Sequence, residues 1–552
     1  MKKLKSVVVL LLVLVFAMSM MAACRPATEE EGGWDAGGST DGGNTNVENS
    51  GNTDNEKEEG DGPSTNNNEN PSGGSQGSGS DNKEDTPSGG TNNGDDKVST
   101  TPGQSGGTAA VSNPLMSESK PYNQEAKPSY NIDEIGFSKG TLAELKGKTL
   151  TYYMAMDYPY FNYYNKSGKN IDEWVWLKEI KKEYGVTVKY VRGAHVLKSF
   201  QAMSAGKDID VISTHVNTFP YICNILAPLE DYYNFSKMGD NPGVNPMVTE
   251  LTRWKGKNIV LGPNGDLGAW RYNATFIKNA GLDDPYDLWK KGEWNWTAFK
   301  KYMVGLPDTT STGQKVIGCS TAGQYYYWPC SNNKPCFEID GDDPNGGIIN
   351  NWDTPEVKET FIWLEGVCDA GGYYFSGDTG TSFWGTDKAR YTVMLFGLPG
   401  VDVLGIQEEA NKTNDYRWCP FPRNEKNPDS INHVEMYGRG LGLPRKTNKE
   451  GNRMAAAKFI DLWCNRNTEA RFDELRHRCK WSTEKIMEYF NFGETNARFG
   501  LGSGVGQFHS LAVKEKFIAS IADASFSAST CHAKCSNHAK NEIANVLKFG
   551  VQ

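Results

Sequence analysis

The chain has 552 residues, a formal net charge of −10 and 11 cysteines. So mild an acidity argues against a nucleic-acid partner, which would call for a basic face. The length exceeds what one hydrophobic core organises, so more than one domain is expected.

The first 23 residues carry Lys2, Lys3 and Lys5, then an apolar run over 7–18, then the small residues Ala22 and Ala23. This is the layout of a secretory signal, and the run is too short for a membrane-spanning helix of about 20 residues. Small-small-Cys at Cys24 resembles a bacterial lipobox, with Met21 where the usual pattern prefers Leu. The resemblance implies cleavage before Cys24 and a thioether-linked diacylglycerol, with palmitate-type chains holding the protein on the outer face of the cell membrane. More than one acyl chain is what stable anchoring requires.

From Cys24 to residue 129 the chain is mostly Gly, Ser, Asn, Asp, Thr, Glu and Pro. Such a segment buries too little apolar surface to offset its ordering entropy, so a disordered spacer is expected. At roughly 5–6 Å times the square root of length, about ninety residues reach about 50 Å.

Residues 130–552 read as the folded part. Residues 148–156 are β-rich, 171–184 are apolar at helical spacing with Gly185 as the stop, and 186–191 form a second strand. A helix over 195–205 and a strand over 210–214 follow. Strands alternating with helices imply an α/β fold with a parallel sheet, whose ligands sit at the carboxyl ends of the strands. Residues 258–261 and 267–272 read as short strands, 274–280 and 296–304 as helices, and 325–328 as a strand. Residues 454–464 and 468–477 read as separate helices. Cys330 and Cys336 stand close enough to close a small disulfide loop in an oxidising compartment.

Six segments, in order over about 400 residues, resemble the carbohydrate-type extracellular solute-binding proteins of ABC importers, the maltose-binding-protein-like family. They are LKEIKKEYGVTVKYV, SAGKDIDVIS, LAPLEDYY, GAWRYNATFIKNAGLDDPYDLWKKGEWNWTAFKKYM, FWGTDKARYTVMLFG and YGRGLGLPRKTNKEGNRMAAAKFIDLW. The fourth is the most specific, with its Tyr-Asn-x-x-x-Phe and Trp-x-Trp-x-x-Phe pattern. The resemblance implies two lobes, with the chain crossing between them near 265–275 and 390–445, and a ligand held in the cleft by hinge closure. It implies a monomer that hands a sugar or oligosaccharide to permease subunits; a non-transport carbohydrate-binding or structural surface lipoprotein, or an importer binding protein for a peptide or other solute, is the alternative, and no segment suggests catalysis, a cofactor or a metal. One departure is Gly397-Leu-Pro-Gly400, where the family often has Gly-x-Trp and stacks that Trp on a sugar.

Candidate ligand-binding residues follow from segment position. Tyr158 and Tyr160 follow the first strand, and His215 and Asn217 the third. Trp270 and Arg271 precede the first crossover helix. Tyr326 and Trp328 lie in the aromatic run of the second lobe, Trp384 stands before the departure, and Tyr437 and Arg439 open the last segment. Aromatic faces suit sugar rings, and amide, imidazole and guanidinium groups suit hydroxyls. Packing in core or loop is the competing role for each. Cys531, Cys535 and His538 fall on one face of a helix at i, i+4 and i+7, a spacing that also fits an ordinary amphipathic helix. Replacing Cys24 with Ser is expected to move the protein from the membrane pellet to the medium, checked by fractionation and immunoblotting.

Overall fold

The computed structural model describes residues 132–550, apart from 134–135, 156–161, 165–169, 195, 312, 314, 321–324, 371–372, 375–389, 398–414, 478–480 and 502–526. The signal segment, Cys24 and the spacer lie outside the described residues.

The first lobe starts with β1 (Thr149–Tyr153), α1 (Glu173–Tyr184), β2 (Thr187–Val191), α2 (Val196–Ser204) and β3 (Val211–Thr214). Asp172 caps α1 by accepting from the Val175 N–H at 2.9 Å, and Gly185 ends it at φ +71°, a conformation glycine takes without a Cβ penalty. β1 pairs in parallel with β2 and β3, as the alternation of strands and helices implies. Leu150, Tyr152, Trp176, Leu177 and Ile180 are buried between sheet and helices.

The second lobe begins with β4 (Leu267–Asn273), α3 (Ala274–Asn279), α4 (Trp296–Gly305) and β5 (Lys315–Ser320). It continues with α5 (Pro355–Cys368), β6 (Tyr373–Tyr374), β7 (Arg390–Gly397), β8 (Tyr416–Cys419) and β9 (Val434–Met436). The chain then returns to the first lobe as β10 (Gly440–Gly442), followed by α6 (Arg453–His477), α7 (Thr483–Asn496), β11 (Ala497–Arg498) and α8 (Ala528–Lys548). The first sheet runs β10-β3-β1-β2. The second, of seven strands, runs β6-β5-β7-β4-β9-β11, with β8 also paired to β4. No described helix is long and apolar enough to cross a membrane.

Four expectations change. Residues 258–261 form one bridge, Leu261 to Leu441, rather than a strand. Tyr325–Asn332 is a 3-10 helix: Tyr326, Tyr327 and Trp328 are all buried, so the segment has no polar face to alternate with. The two C-terminal helices are one helix of 25 residues: Asn465, Asn467 and Thr468, where a break is expected, are all buried, and Asn465 donates to the Asp461 carbonyl while Thr468 donates to that of Gly243. Cys330 and Cys336 are buried free thiols, not a disulfide.

The passages between lobes lie side by side. Leu267 pairs antiparallel with Met436 in the second sheet, and six residues earlier Leu261 bridges Leu441 in the first. Their backbones are in close contact: a Cβ on Gly262 would stand 2.6 Å from the Arg439 carbonyl oxygen, and one on Gly440 would stand 2.5 Å from that of Leu261.

α8 touches both lobes. Near its start, the Trp352 Nε1–H donates to the His532 carbonyl at 3.0 Å, the two rings stack at 4.9 Å, and Ser536 donates to Asp353. Near its end, Tyr221 donates to Glu542 at 3.0 Å. Just beyond it, Asn224 donates to the Phe549 carbonyl at 2.8 Å, and the Phe549 ring packs on Phe200 and Tyr221. Gly262→Ala should force the crossovers apart and destabilise the protein by about 1–3 kcal/mol, read as a lower urea midpoint.

Candidate functional site

Between β9 and β10 only Tyr437, Gly438 and Arg439 separate the two sheets. β3 fixes this span from the first lobe. The Thr214 hydroxyl donates to the Gly438 carbonyl at 2.7 Å, and the Val216 N–H donates to the Tyr437 carbonyl at 2.6 Å. Gly438 sits at φ +60°, where a Cβ would also meet the Phe499 ring at 3.0 Å. A side chain there would be strained twice over.

These bonds bring three sequence candidates together. His215 follows β3 directly, and its ring centroid is 6.4 Å from that of Tyr437. The Arg439 guanidinium also lies over the Tyr437 ring, 5.8 Å from its centroid. His215 and Arg439 are buried, whereas Tyr437 is half-buried. Burial first, and the nearby Arg439 charge second, lower His215 to about 3. The imidazole is therefore neutral at pH 7, with one nitrogen to donate and one to accept.

Beneath Arg439 lies an ionic cluster that the sequence reading missed. Asp266, at the end of the first crossover, sits 3.6 Å from Arg439 and 3.4 Å from Arg471 of α6, and Arg471 also pairs with Glu474. All four are buried. An aspartate inside the run Asn264-Gly-Asp-Leu-Gly-Ala-Trp270 was the available signal: a charge in a segment otherwise fit for burial.

The other candidates are placed differently. Trp270 is fully buried, with Phe421, Trp328 and Phe299 at centroid distances of 5.3, 5.7 and 5.8 Å. Trp328 is fully buried too and packs on Trp363 at 5.1 Å. Both are core residues here, because the face of β4 that carries Trp270 and Tyr272 is roofed by α4 and the 3-10 helix. Tyr326 is buried against Tyr327 and Gly500. Arg271 points to the opposite face of β4 by strand alternation and is buried near Tyr489. Asn217 lies in the 3-10 turn Val216–Thr218, its side chain outside the described residues. Tyr158, Tyr160 and Trp384 lie outside them altogether, as do the side chains of Cys531 and His538.

The assembled group offers one aromatic face, a neutral imidazole and a guanidinium oriented by a carboxylate. That set can stack on and hydrogen-bond a neutral polar ligand.

No family model matches the chain, and no curated protein matches its sequence. Solved structures match its fold. A sugar transporter from Rhizobium etli in an open conformation aligns at 14% identity and TM-score 0.51, over 71% of this chain and 99% of that one. An ABC substrate-binding protein from Listeria monocytogenes in complex with cycloalternan aligns at 14% identity and TM-score 0.50, over 72% and 100%. The galacto-N-biose/lacto-N-biose I-binding protein of the ABC transporter from Bifidobacterium longum, in complex with lacto-N-biose, aligns at 12% identity and TM-score 0.50, over 72% and 97%. The chain has the two-lobed α/β fold of these binding proteins, as the sequence resemblance implied.

Because His215 is held near 3 in the fold against 6.5 when free, the unfolded chain binds a proton between those values and the folded chain does not. His215 thus costs stability as pH falls below 6.5, by up to about 1.4 kcal/mol per pH unit. Urea titrations of the wild type and His215→Gln should converge or cross on going from pH 7 to pH 4.5, with the wild type losing more.

Proposed function

We propose that the chain is a substrate-binding lipoprotein that takes a sugar or oligosaccharide between its lobes and presents it to the permease of an ABC importer. Its role in this reading is binding rather than catalysis, and lipidated Cys24 with the spacer keeps it near the permease on the outer face of the membrane. The observation that carries the reading is the half-buried Tyr437 ring on the three-residue span that links the lobes, with Arg439 of the same span and His215 beside it. A ring at that place meets any ligand against which both lobes close, and the polar groups beside it match hydroxyls. The fold is one in which proteins bind cycloalternan and lacto-N-biose, which supports a glycan over other solutes. Fold alone does not decide a ligand.

A thermal-shift screen against mono- and oligosaccharides, with peptides as controls, tests this. A ligand bound only by the folded protein adds about 2.7 kcal/mol at a hundredfold excess over its Kd, read as a higher Tm. One glycan class should raise Tm, and Tyr437→Ala should abolish the shift while leaving the unliganded Tm within a few degrees. A shift with peptides alone would keep the fold and overturn the carbohydrate reading. No shift with any of them would favour a non-transport surface protein.

A further inference from the structure

Among the described residues, Cys330, His433 and Glu435 are a group whose ligand atoms all lie within 4.8 Å of one another, and all three are buried. They come from two elements. Cys330 belongs to the 3-10 helix Tyr325–Asn332, while Glu435 is on β9 and His433 just precedes it. His433 and Glu435 are two residues apart on extended chain and so share a face. The His433 ring is held by Phe421, stacked on it at 4.8 Å, and by the Phe421 N–H, which donates to the His433 carbonyl at 2.8 Å.

The polar atoms of this trio are incompletely satisfied. His433 Nε2 and Glu435 Oε1 are 2.8 Å apart. His433 Nδ1 and Glu435 Oε2 make no hydrogen bond of good geometry, although backbone groups of Ile431 and Tyr327 lie near the ring, and Cys330 and the Gly500 backbone lie near the carboxyl. Arg498, a cation whose charge acts on Glu435, donates to the Ala497 carbonyl at 3.0 Å, and no described ion pair joins the two. Buried polar groups without partners are costly, and a fully buried carboxylate more so.

We propose that Cys330, His433 and Glu435 bind a divalent transition ion of the Zn²⁺ class in the second lobe. Thiolate, imidazole and carboxylate are together the donor set of zinc and cobalt(II), and the thiolate disfavours calcium and magnesium. Charge fits as well as donors do. A divalent ion with one thiolate, one carboxylate and one neutral imidazole has no net charge, so the complex can sit where an isolated ion could not. Burial raises both the Cys330 thiol and the Glu435 carboxyl well above their ordinary values, so both hold protons until a cation arrives. Binding then releases two protons to solvent.

The geometry needs little change. The ion takes the place of the proton between His433 Nε2 and Glu435 Oε1. With bonds of about 2.0–2.1 Å at a tetrahedral angle, those atoms would stand about 3.3 Å apart, half an ångström wider than now. The Cys330 sulfur supplies the third bond and a small exogenous ligand the fourth. The site would tie the 3-10 helix to β9, just ahead of Tyr437.

Cobalt(II) titration of the full-length protein, kept reduced, tests the proposal. One equivalent should produce a thiolate-to-cobalt charge-transfer band in the near ultraviolet, and zinc should displace it. Cys330→Ser should abolish the band, Cys336→Ser should keep it, and Glu435→Gln should weaken metal binding at least about tenfold. Elemental analysis of the dialysed wild type should find one zinc per chain after growth with zinc. Circular dichroism establishes that each variant is folded. Should Cys330→Ser not fold, the wild-type band together with Glu435→Gln still decides. No band from folded, reduced wild type, a band unchanged in folded Cys330→Ser, or a Cys330–Cys336 disulfide in the native protein would each overturn it.

Discussion

The two lobes depend on one short strip of backbone. Residues 434–442 pair with β4 in the second sheet and, after three intervening residues, with β3 in the first. The first crossover runs beside it in the opposite direction, from Leu261 to Leu267. Two antiparallel strands in contact can flex together but cannot slide, because sliding would break the pairings at both ends. Gly262 and Gly440 allow the contact, and Gly438 turns between the two sheets. The positions of His215, Tyr437 and Arg439 are consequences of this strip.

The same strip explains the buried charges. Asp266 closes one crossover and Arg439 lies in the other, so their pairing links the two passages. Arg471 adds a second cation from α6, which also packs on the first sheet through Phe459 and Trp463. Removing one partner from such a cluster leaves an uncompensated buried charge, costing about 3–5 kcal/mol, whereas the net worth of the intact cluster is far smaller. Its contribution is geometric: it sets the direction in which Arg439 points beside the Tyr437 ring.

The first lobe was the more legible in sequence. Leu150, Tyr152 and Val211 fall on strands, Trp176, Leu177 and Ile180 at helical spacing, and Gly185 at a helix end, so local period and stop signals agree with the tertiary result. The second lobe was less legible because its signals compete. Tyr325 to Trp328 has strand propensity, yet every described side chain of it is buried, and Pro329 follows. Propensity cannot separate these outcomes. Trp270 shows the limit for the site: the segment around it was recognised, but only the roof over β4 decides that its indole faces core. His215, Tyr437 and Arg439 were reachable because they stand where strands end. Asp266 and the trio of Cys330, His433 and Glu435 were not, since their members meet only through pairing between distant segments.

The helix α8 adds a mechanical constraint of a different kind. At 21 residues and about 1.5 Å per residue it is a rod about 31 Å long, rooted by His532 and Ser536 in one lobe and by Glu542 and Phe549 in the other. Two rigid bodies joined by paired crossovers and also by a rod form a linkage. Such a linkage keeps few degrees of freedom: the lobes can swing along an arc that preserves the length of the rod, and twist is resisted. In the proposed binding role, an aperture so constrained would follow a fixed path, and ligands of different length would be met by stopping points on one trajectory and not by different postures of the lobes.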